Sequence, residues 1–148
     1  MSLPNEADFA VIKIGDGETP EVFSIVCGIE NVSLNKAAAS NDRYRRDCTK
    51  LGKPAVRKNI VTGKSLTITG SGAANVDNIA DFEAALGVST NYQIELRQYD
   101  GTDAGALMGT VAGAFVLVAD NTTLNSNADS TGEITLNNEG AWTYTEAP

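Results

Sequence analysis

Few side chains in this sequence could carry out chemistry. There is no histidine, which removes the commonest general base and a common metal ligand. Neither Cys27 nor Cys48 has an obvious activating partner, and two cysteines without histidine cannot complete a structural zinc site. We therefore expect two free, inert thiols in a reducing cytoplasm. We also expect the chain not to be an enzyme, with a histidine-free hydrolase as a third option.

Two short patterns fall short of binding motifs. Residues 70–75 occupy the strand-to-helix position where G-x-G-x-x-G would bind a pyrophosphate, but Asn75 replaces the third glycine. Residues 125–136 have oxygen-bearing side chains at alternate positions, as in a calcium loop. However, Ser130 replaces the required glycine and Leu136 replaces the closing carboxylate. We expect a plain turn, a solvated loop, and no cofactor or metal.

An aromatic pair near the C-terminus offers a different chemistry. Trp142 and Tyr144 are two residues apart, which places them on one face of a predicted strand. Such a pair could stack against a sugar ring, although buried aromatics are the commoner outcome. The alternative function is therefore a monomeric β-sandwich module that binds a carbohydrate or protein ligand.

Charge is distributed unevenly along the chain. The formal net charge is −8, which argues against a protein that binds nucleic acid through its phosphates. Between Lys36 and Lys64, however, nine cations face only Asp42 and Asp47. Complementary charged patches steer association, so this segment could dock on an acidic face of an identical neighbour. The other interpretation is a solvated, charged surface.

Hydrophobic periodicity predicts the elements that position these residues. The predicted strands are Phe9–Ile14, a run within Val22–Leu34, a hairpin of Val56–Thr62 and Lys64–Thr69 turning at Gly63, Tyr92–Arg97, Val111–Ala119, and two alternating pairs near the C-terminus. One amphipathic helix is predicted from Asn75 to Leu86, with Val76, Ile79, Phe82 and Leu86 on one face. Residues 35–54 show no period and are predicted to form a long basic loop.

These elements predict a mostly-β fold in one domain spanning residues 1–148. We expect a β-sandwich or small barrel of about seven strands, flanked by one α-helix and carrying the long loop between early strands. No apolar run is long enough for a membrane span. The polar, acidic N-terminus lacks the features of a secretory signal, so we expect cytoplasmic synthesis.

With this order of elements, the sequence resembles the bacteriophage tail tube proteins, the major tail proteins of long-tailed phages. The resemblance covers most of the chain. It is carried by VFSIVCGIENVSLNK, NDRYRRDCTKLGKPAVRK, KSLTITGSG, NVDNIADFEAALG and YQIELRQYDG. The tubes of contractile tails and of type VI secretion share this fold.

The resemblance implies a non-enzymatic structural subunit of the virion tail, assembled in the host cytoplasm. Subunits would form hexameric rings that stack into a tube, through which DNA passes without specific binding. Implied partners are further copies of the chain and tail components such as the tape measure, the tail terminator and distal tail proteins. In this family the long loop commonly reaches a neighbouring subunit or ring.

The resemblance and the charge pattern together define candidate contact residues. We predict that Arg43, Arg45 and Arg46, with Tyr44 among them, dock on acidic surface of the next subunit, helped by Lys50 and Lys53. Glu95, on the polar face of an alternating strand, is predicted to face the lumen. An acidic lumen would repel phosphates and let DNA slide.

Overall fold

The structure is a computed structural model that describes residues 2–148, and it confirms a mostly-β fold with a single short α-helix. The elements are β1 (Phe9–Gly15), β2 (Phe23–Ile25), β3 (Ile29–Arg45), β4 (Val56–Ala73), a 3-10 turn (Val76–Asn78), α1 (Ile79–Ala85), β5 (Ser89–Gln98), β6 (Ala106–Thr123) and β7 (Thr131–Glu146). The predicted number of strands, about seven, is correct.

The seven strands form one sheet in the order β2-β1-β5-β6-β7-β4-β3. The long central strands set its register. In β5, Ile94 lies opposite Ile12 of β1 on one side and Val111 of β6 on the other. All of these pairings are antiparallel, and the sheet does not close into a barrel. Of the two expected outcomes, a sandwich or a barrel, the closed barrel is therefore excluded.

The chain divides into two compact units, which we describe separately. The first, here called the body, comprises the residues up to Leu34 together with Thr67–Pro148. The second, here called the basic hairpin, is Asn35–Leu66 and contains the end of β3, the start of β4 and the loop between them.

Strict alternation along its strands builds the core of the body. Tyr92 and Ile94 are fully buried, whereas Gln93 between them lies on the opposite face. The Tyr92 ring meets Phe115 edge-on, with centroids 6.3 Å apart. Other fully buried side chains are Ile12, Ile68, Val111, Leu117, Ile134 and Leu136. Each contributes about 1.5–3 kcal/mol relative to an exposed side chain.

The helix lies where the sequence predicts it, but its buried face is narrower. The Asn75 side chain accepts a hydrogen bond from the Asp77 amide at 3.1 Å and so caps the 3-10 turn that precedes α1. Gly87 follows the end of α1 with a φ of +76°. Only Phe82 and Ala85 are buried. Val76, Ile79 and Leu86, which were predicted to share a face with Phe82, are exposed.

The predicted loop at residues 35–54 is largely strand. β3 continues to Arg45, so the loop between β3 and β4 covers only residues 46–55. The predicted turn at Gly63 is also wrong, because β4 runs without interruption from Val56 to Ala73. Side chains here are exposed on both faces. No hydrophobic alternation therefore marks these strands, since that pattern arises only where one face is buried.

The glycines predicted to form a strand-to-helix turn belong to β4 and serve close packing. A Cβ at Gly70 would lie 2.8 Å from Ile29 Cγ2 and 3.2 Å from Ile12 Cδ1. A Cβ at Gly72 would collide with the Gly28 carbonyl and lie 2.8 Å from the Glu30 amide nitrogen. The backbones at Gly28 and Gly72 can therefore approach only because neither residue has a side chain.

Two glycines of β4 give a matched test of this contact. We expect Gly72→Ala to lower the free energy of unfolding by about 1–3 kcal/mol, because the new methyl group meets rigid backbone. Gly63→Ala has open space, so it should change stability by less than about 1 kcal/mol in either direction. Urea denaturation of both variants measures the difference, and equal stabilities would contradict the close approach.

Candidate assembly surfaces

The two units carry opposite charge. The basic hairpin holds nine of the eleven lysines and arginines and two of the nineteen carboxylates, a net charge of +7. The body holds the remaining two cations, Lys13 and Arg97, and seventeen carboxylates, a net charge of −15. Charge asymmetry was visible in the sequence, but the unit boundary shows how complete the separation is.

The basic hairpin buries almost nothing of itself. Its strands are linked by a hydrogen bond of 3.2 Å from the Thr62 hydroxyl to the Ala39 carbonyl, and by the Arg57–Asp42 ion pair at 2.9 Å. Every residue except Ile60 and Leu66 is exposed. A two-stranded hairpin is marginally stable by itself in water, so this unit gains little stability from its own apolar burial.

All six predicted contact residues lie on this exposed unit. Arg43, Tyr44 and Arg45 are in β3, while Arg46, Lys50 and Lys53 are in the loop. Because side chains alternate along a strand, Arg43 and Arg45 share one face and Tyr44 lies on the other. The structure thus places the six residues on one hairpin, but on more than one of its surfaces.

Both carboxylates of the basic hairpin already have partners. Asp42 pairs with Arg57. Asp47 accepts hydrogen bonds from the Thr49 hydroxyl at 2.7 Å and the Thr49 amide at 2.9 Å, and these bonds lower the pKa of Asp47. Among residues 2–148, Arg57 is the only cation of the hairpin with a carboxylate at ion-pair distance. Eight cations are therefore available for another surface.

Glu95 is the buried charge of the body. It lies on the polar face of β5 as predicted, but it is only 6% exposed. Lys13 Nζ lies 2.5 Å from one carboxylate oxygen and an Arg97 guanidinium nitrogen 2.8 Å from the other. Arg97 also donates to the carbonyls of Ala104 and Gly105, at 3.3 and 3.2 Å. The cluster of Lys13, Glu95 and Arg97 is therefore an internally neutralised group.

The pKa of Glu95 reflects two opposing effects. Burial disfavours the charged carboxylate, but hydrogen bonds and charge from Lys13 and Arg97 outweigh it and hold the pKa below its ordinary value. Neither partner of Glu95 was predicted from the sequence. The available signal was that Lys13 and Arg97 are the only cations outside the basic segment.

The remaining body carboxylates have no ion pair within the described chain, because both body cations are paired with Glu95. Crowding is evident at Asp120, where burial and the nearby Glu83 carboxylate raise the pKa. The body thus presents sixteen carboxylates that no cation of the body neutralises. Its surface suits a basic partner.

The residues of the other motifs take part in local structure. The Asn125 side chain accepts a hydrogen bond from the Asn127 amide at 3.0 Å, so it takes part in the loop's own turn. Within the described chain there is no group of three or more potential metal ligands. Trp142 is half-buried, and the half-exposed Tyr144 ring lies against Gly109. Residues 2–148 contain no helix long and apolar enough to cross a membrane.

Glu95 provides a stability test with a pH signature. We expect Glu95→Gln to cost about 1–3 kcal/mol near neutral pH, because it leaves two partly buried cations without their carboxylate. The depressed pKa stabilises the fold fully above the ordinary glutamate value of about 4.3, and this stabilisation is lost as the pH falls through the lower folded value.

Urea denaturation at a series of pH values tests this expectation. The difference between wild type and Glu95→Gln should shrink towards zero in acid. Glu18→Gln, at an exposed position, is the control and should change stability by less than about 0.5 kcal/mol. A Glu95→Gln variant that is as stable as wild type at neutral pH would refute a stabilising role for the cluster.

Comparison with known proteins adds a fold assignment. The sequence matches no protein-family model, and no curated protein matches it. A chain from the tail of an empty GTA particle, with C6 symmetry, is similar in structure with a TM-score of 0.65 and 16% identity, covering 98% of this chain and 99% of that chain.

Two further solved structures extend the similarity. A chain of the PVC sheath-tube complex, from an extracellular contractile injection system, has a TM-score of 0.64 and 15% identity over 99% of this chain and 93% of that chain. The SPP1 tail tube has a TM-score of 0.59 and 8% identity, and the match covers 97% of this chain and 80% of that chain. At such low identity the shared property is the fold, and this chain has the fold of the tail-tube proteins of phages and contractile injection systems.

Proposed function

We propose that the chain is a structural, non-enzymatic subunit that assembles with copies of itself into hexameric rings, stacked as the tube of a phage-type tail. The observation that carries this proposal is a tail-tube fold in which an exposed hairpin of charge +7 accompanies a body of charge −15. The whole chain would act as one subunit. The C6 symmetry of the similar GTA tail supports six subunits per ring.

The electrostatic argument concerns how copies recognise each other. Among residues 2–148, eight cations of the basic hairpin and sixteen carboxylates of the body have no ion pair, which makes two copies of this chain complementary. Complementary charge speeds encounter and fixes register. The basic hairpin of one subunit, through Arg43, Tyr44, Arg45, Arg46, Lys50 and Lys53, would then dock on the body of the next.

The sheet edges support closure into a ring. The strand order ends at β2, which has three residues, and at β3, which has seventeen. An open edge offers unpaired backbone donors and acceptors to other chains and is an aggregation hazard unless it is covered. Pairing of edges between neighbouring subunits would cover them in a ring.

The proposed conduit would deliver DNA without binding it. An acidic body repels phosphates, although Glu95, placed at the lumen by our proposal, is neutralised by Lys13 and Arg97. Low adhesion would then come from the absence of free cations on the body. Further partners would be a tape measure, a tail terminator and distal tail proteins, with assembly in the host cytoplasm.

Reversing charge on the basic hairpin tests the proposal. We expect Arg45→Glu with Arg46→Glu to raise the protein concentration needed for assembly at least about tenfold. This corresponds to a loss of about 1.4 kcal/mol of binding free energy per contact. Both positions are exposed, so circular dichroism should show an unchanged fold. Electron microscopy and light scattering measure assembly. Arg45→Lys with Arg46→Lys keeps the charge and should still assemble; normal tubes from the reversed variant would refute the docking.

A native thiol reports on the same contact. Cys48 is exposed in the loop between β3 and β4. In a Cys27→Ser background, we expect maleimide to label Cys48 at least about tenfold more slowly in assembled protein than in the Arg45→Glu, Arg46→Glu variant, because docking covers the loop. Equal labelling rates would mean that the loop stays in solvent after assembly.

A further inference from the structure

The helix and the residues next to its two ends expose apolar side chains. Val76 in the 3-10 turn, Ile79 at the start of α1 and Leu86 just after its end are 76%, 46% and 48% exposed. Phe82 and Ala85 point into the body instead. We call Val76, Ile79, Glu83 and Leu86 the helix face. Contiguous exposed apolar groups on a soluble protein commonly mark a contact with another molecule.

The surroundings of the helix face are acidic. Glu83 lies within it, and Asp120 is close enough for Glu83 to raise its pKa. A cleft beside Ile79 is lined by Asp120 and Glu133. That cleft shares Glu133 with a groove of about 580 Å³, whose other acidic residues are Glu30 and Asp129. Within the described chain, neither cation of the body pairs with these carboxylates, because Lys13 and Arg97 are both paired with Glu95.

The basic hairpin has the matching chemistry. Its exposed apolar side chains, each more than half exposed, are Tyr44, Leu51, Val56 and Val61. The Asp42–Arg57 ion pair shows that these two side chains share a face of the hairpin. Alternation from that pair places Tyr44 and Val61 on the same face. Tyr44 and Val61 therefore lie on the face opposite Arg43 and Arg45. The free cations Arg46, Lys50 and Lys53 are in the loop that joins the two strands, next to Tyr44 in the sequence.

We propose that the helix face is the docking site for the basic hairpin of a second copy of this chain. The inference rests on the proposed function and adds the position of the acceptor surface. Negative charge alone would not select a position, because the whole body is acidic. The helix face has exposed apolar residues beside Glu83 and Asp120, so docking there would bury apolar area while these carboxylates pair with the hairpin cations.

The test is a pair of variants with the same change in charge. Val76→Lys with Glu83→Lys places positive charge on the helix face. Val22→Lys with Glu18→Lys makes the same change at another exposed part of the body. We expect the first pair to raise the concentration required for assembly at least about tenfold and the second to change it less than about threefold, since one decade corresponds to about 1.4 kcal/mol.

A four-substitution chain then tests whether the two surfaces meet. Combining Val76→Lys and Glu83→Lys with Arg45→Glu and Arg46→Glu restores opposite charge across the proposed contact, so assembly should recover relative to either double variant. Assembly of Val76→Lys, Glu83→Lys at the wild-type concentration would overturn the inference. Equal defects in the two charge-matched variants would also overturn it.

The outcomes separate this inference from the proposed function. If Arg45→Glu, Arg46→Glu blocks assembly but the helix-face variant does not, the tube proposal stands and the position of the acceptor is wrong. A wild-type protein that remains monomeric at every concentration overturns both. Circular dichroism and urea denaturation of each variant show whether a loss of assembly arises from unfolding, and any unfolded helix-face variant is replaced by Val76→Ser with Glu83→Gln.

Discussion

The pairing of one buried carboxylate with both body cations constrains the rest of this molecule. Glu95 can stay charged at 6% exposure only because Lys13 and Arg97 lie against its two oxygens. No other lysine or arginine exists in the body. Every other carboxylate there must therefore face water or a cation from elsewhere. The nine cations of the basic hairpin are the largest such source within an identical chain.

The basic hairpin poses the complementary problem. Nearly all of its side chains are exposed, so little apolar burial offsets the conformational entropy lost when its strands form. Both of its carboxylates are held by neighbours, Asp42 by Arg57 and Asp47 by Thr49. The unit consequently has excess positive charge and little core, and the docking that we propose, on an acidic and partly apolar surface, would relieve both.

Sequence reasoning succeeded where a strand or helix has one buried face. The alternation of Tyr92, Ile94 and Leu96 with polar residues predicted β5 and the polar side of Glu95. The predicted helix at residues 75–86 contains the 3-10 turn and α1, although α1 itself begins only at Ile79. Sequence reasoning failed at residues 35–45 and at Gly63, where both faces are exposed and periodicity carries no information. Partners distant in sequence, such as Gly28 opposite Gly72, leave no local pattern.

The exposed residues at the helix also show a limit of hydrophobic periodicity, because here the period is present but the side chains are not buried. Val76, Ile79 and Leu86 have the spacing of a core-facing stripe, yet Phe82 and Ala85 alone reach the core. A hydrophobic period indicates that one face of an element is buried. It does not show whether the same chain or another molecule buries that face. If a second copy supplies the cover, the pattern predicted burial correctly and erred only in assuming that burial occurs within one subunit.

Charge separation also explains how such a chain could assemble without aggregating. Two copies each carry −8 overall and repel at distances where their charges act as a sum. Opposite units attract only within about one Debye length, roughly 8 Å at physiological salt, where local charge dominates. Arrangements that bring acidic body against acidic body are penalised, and the arrangement that brings hairpin to body is favoured. A segregated charge pattern thus selects one contact geometry, which repeated stacking of identical subunits requires.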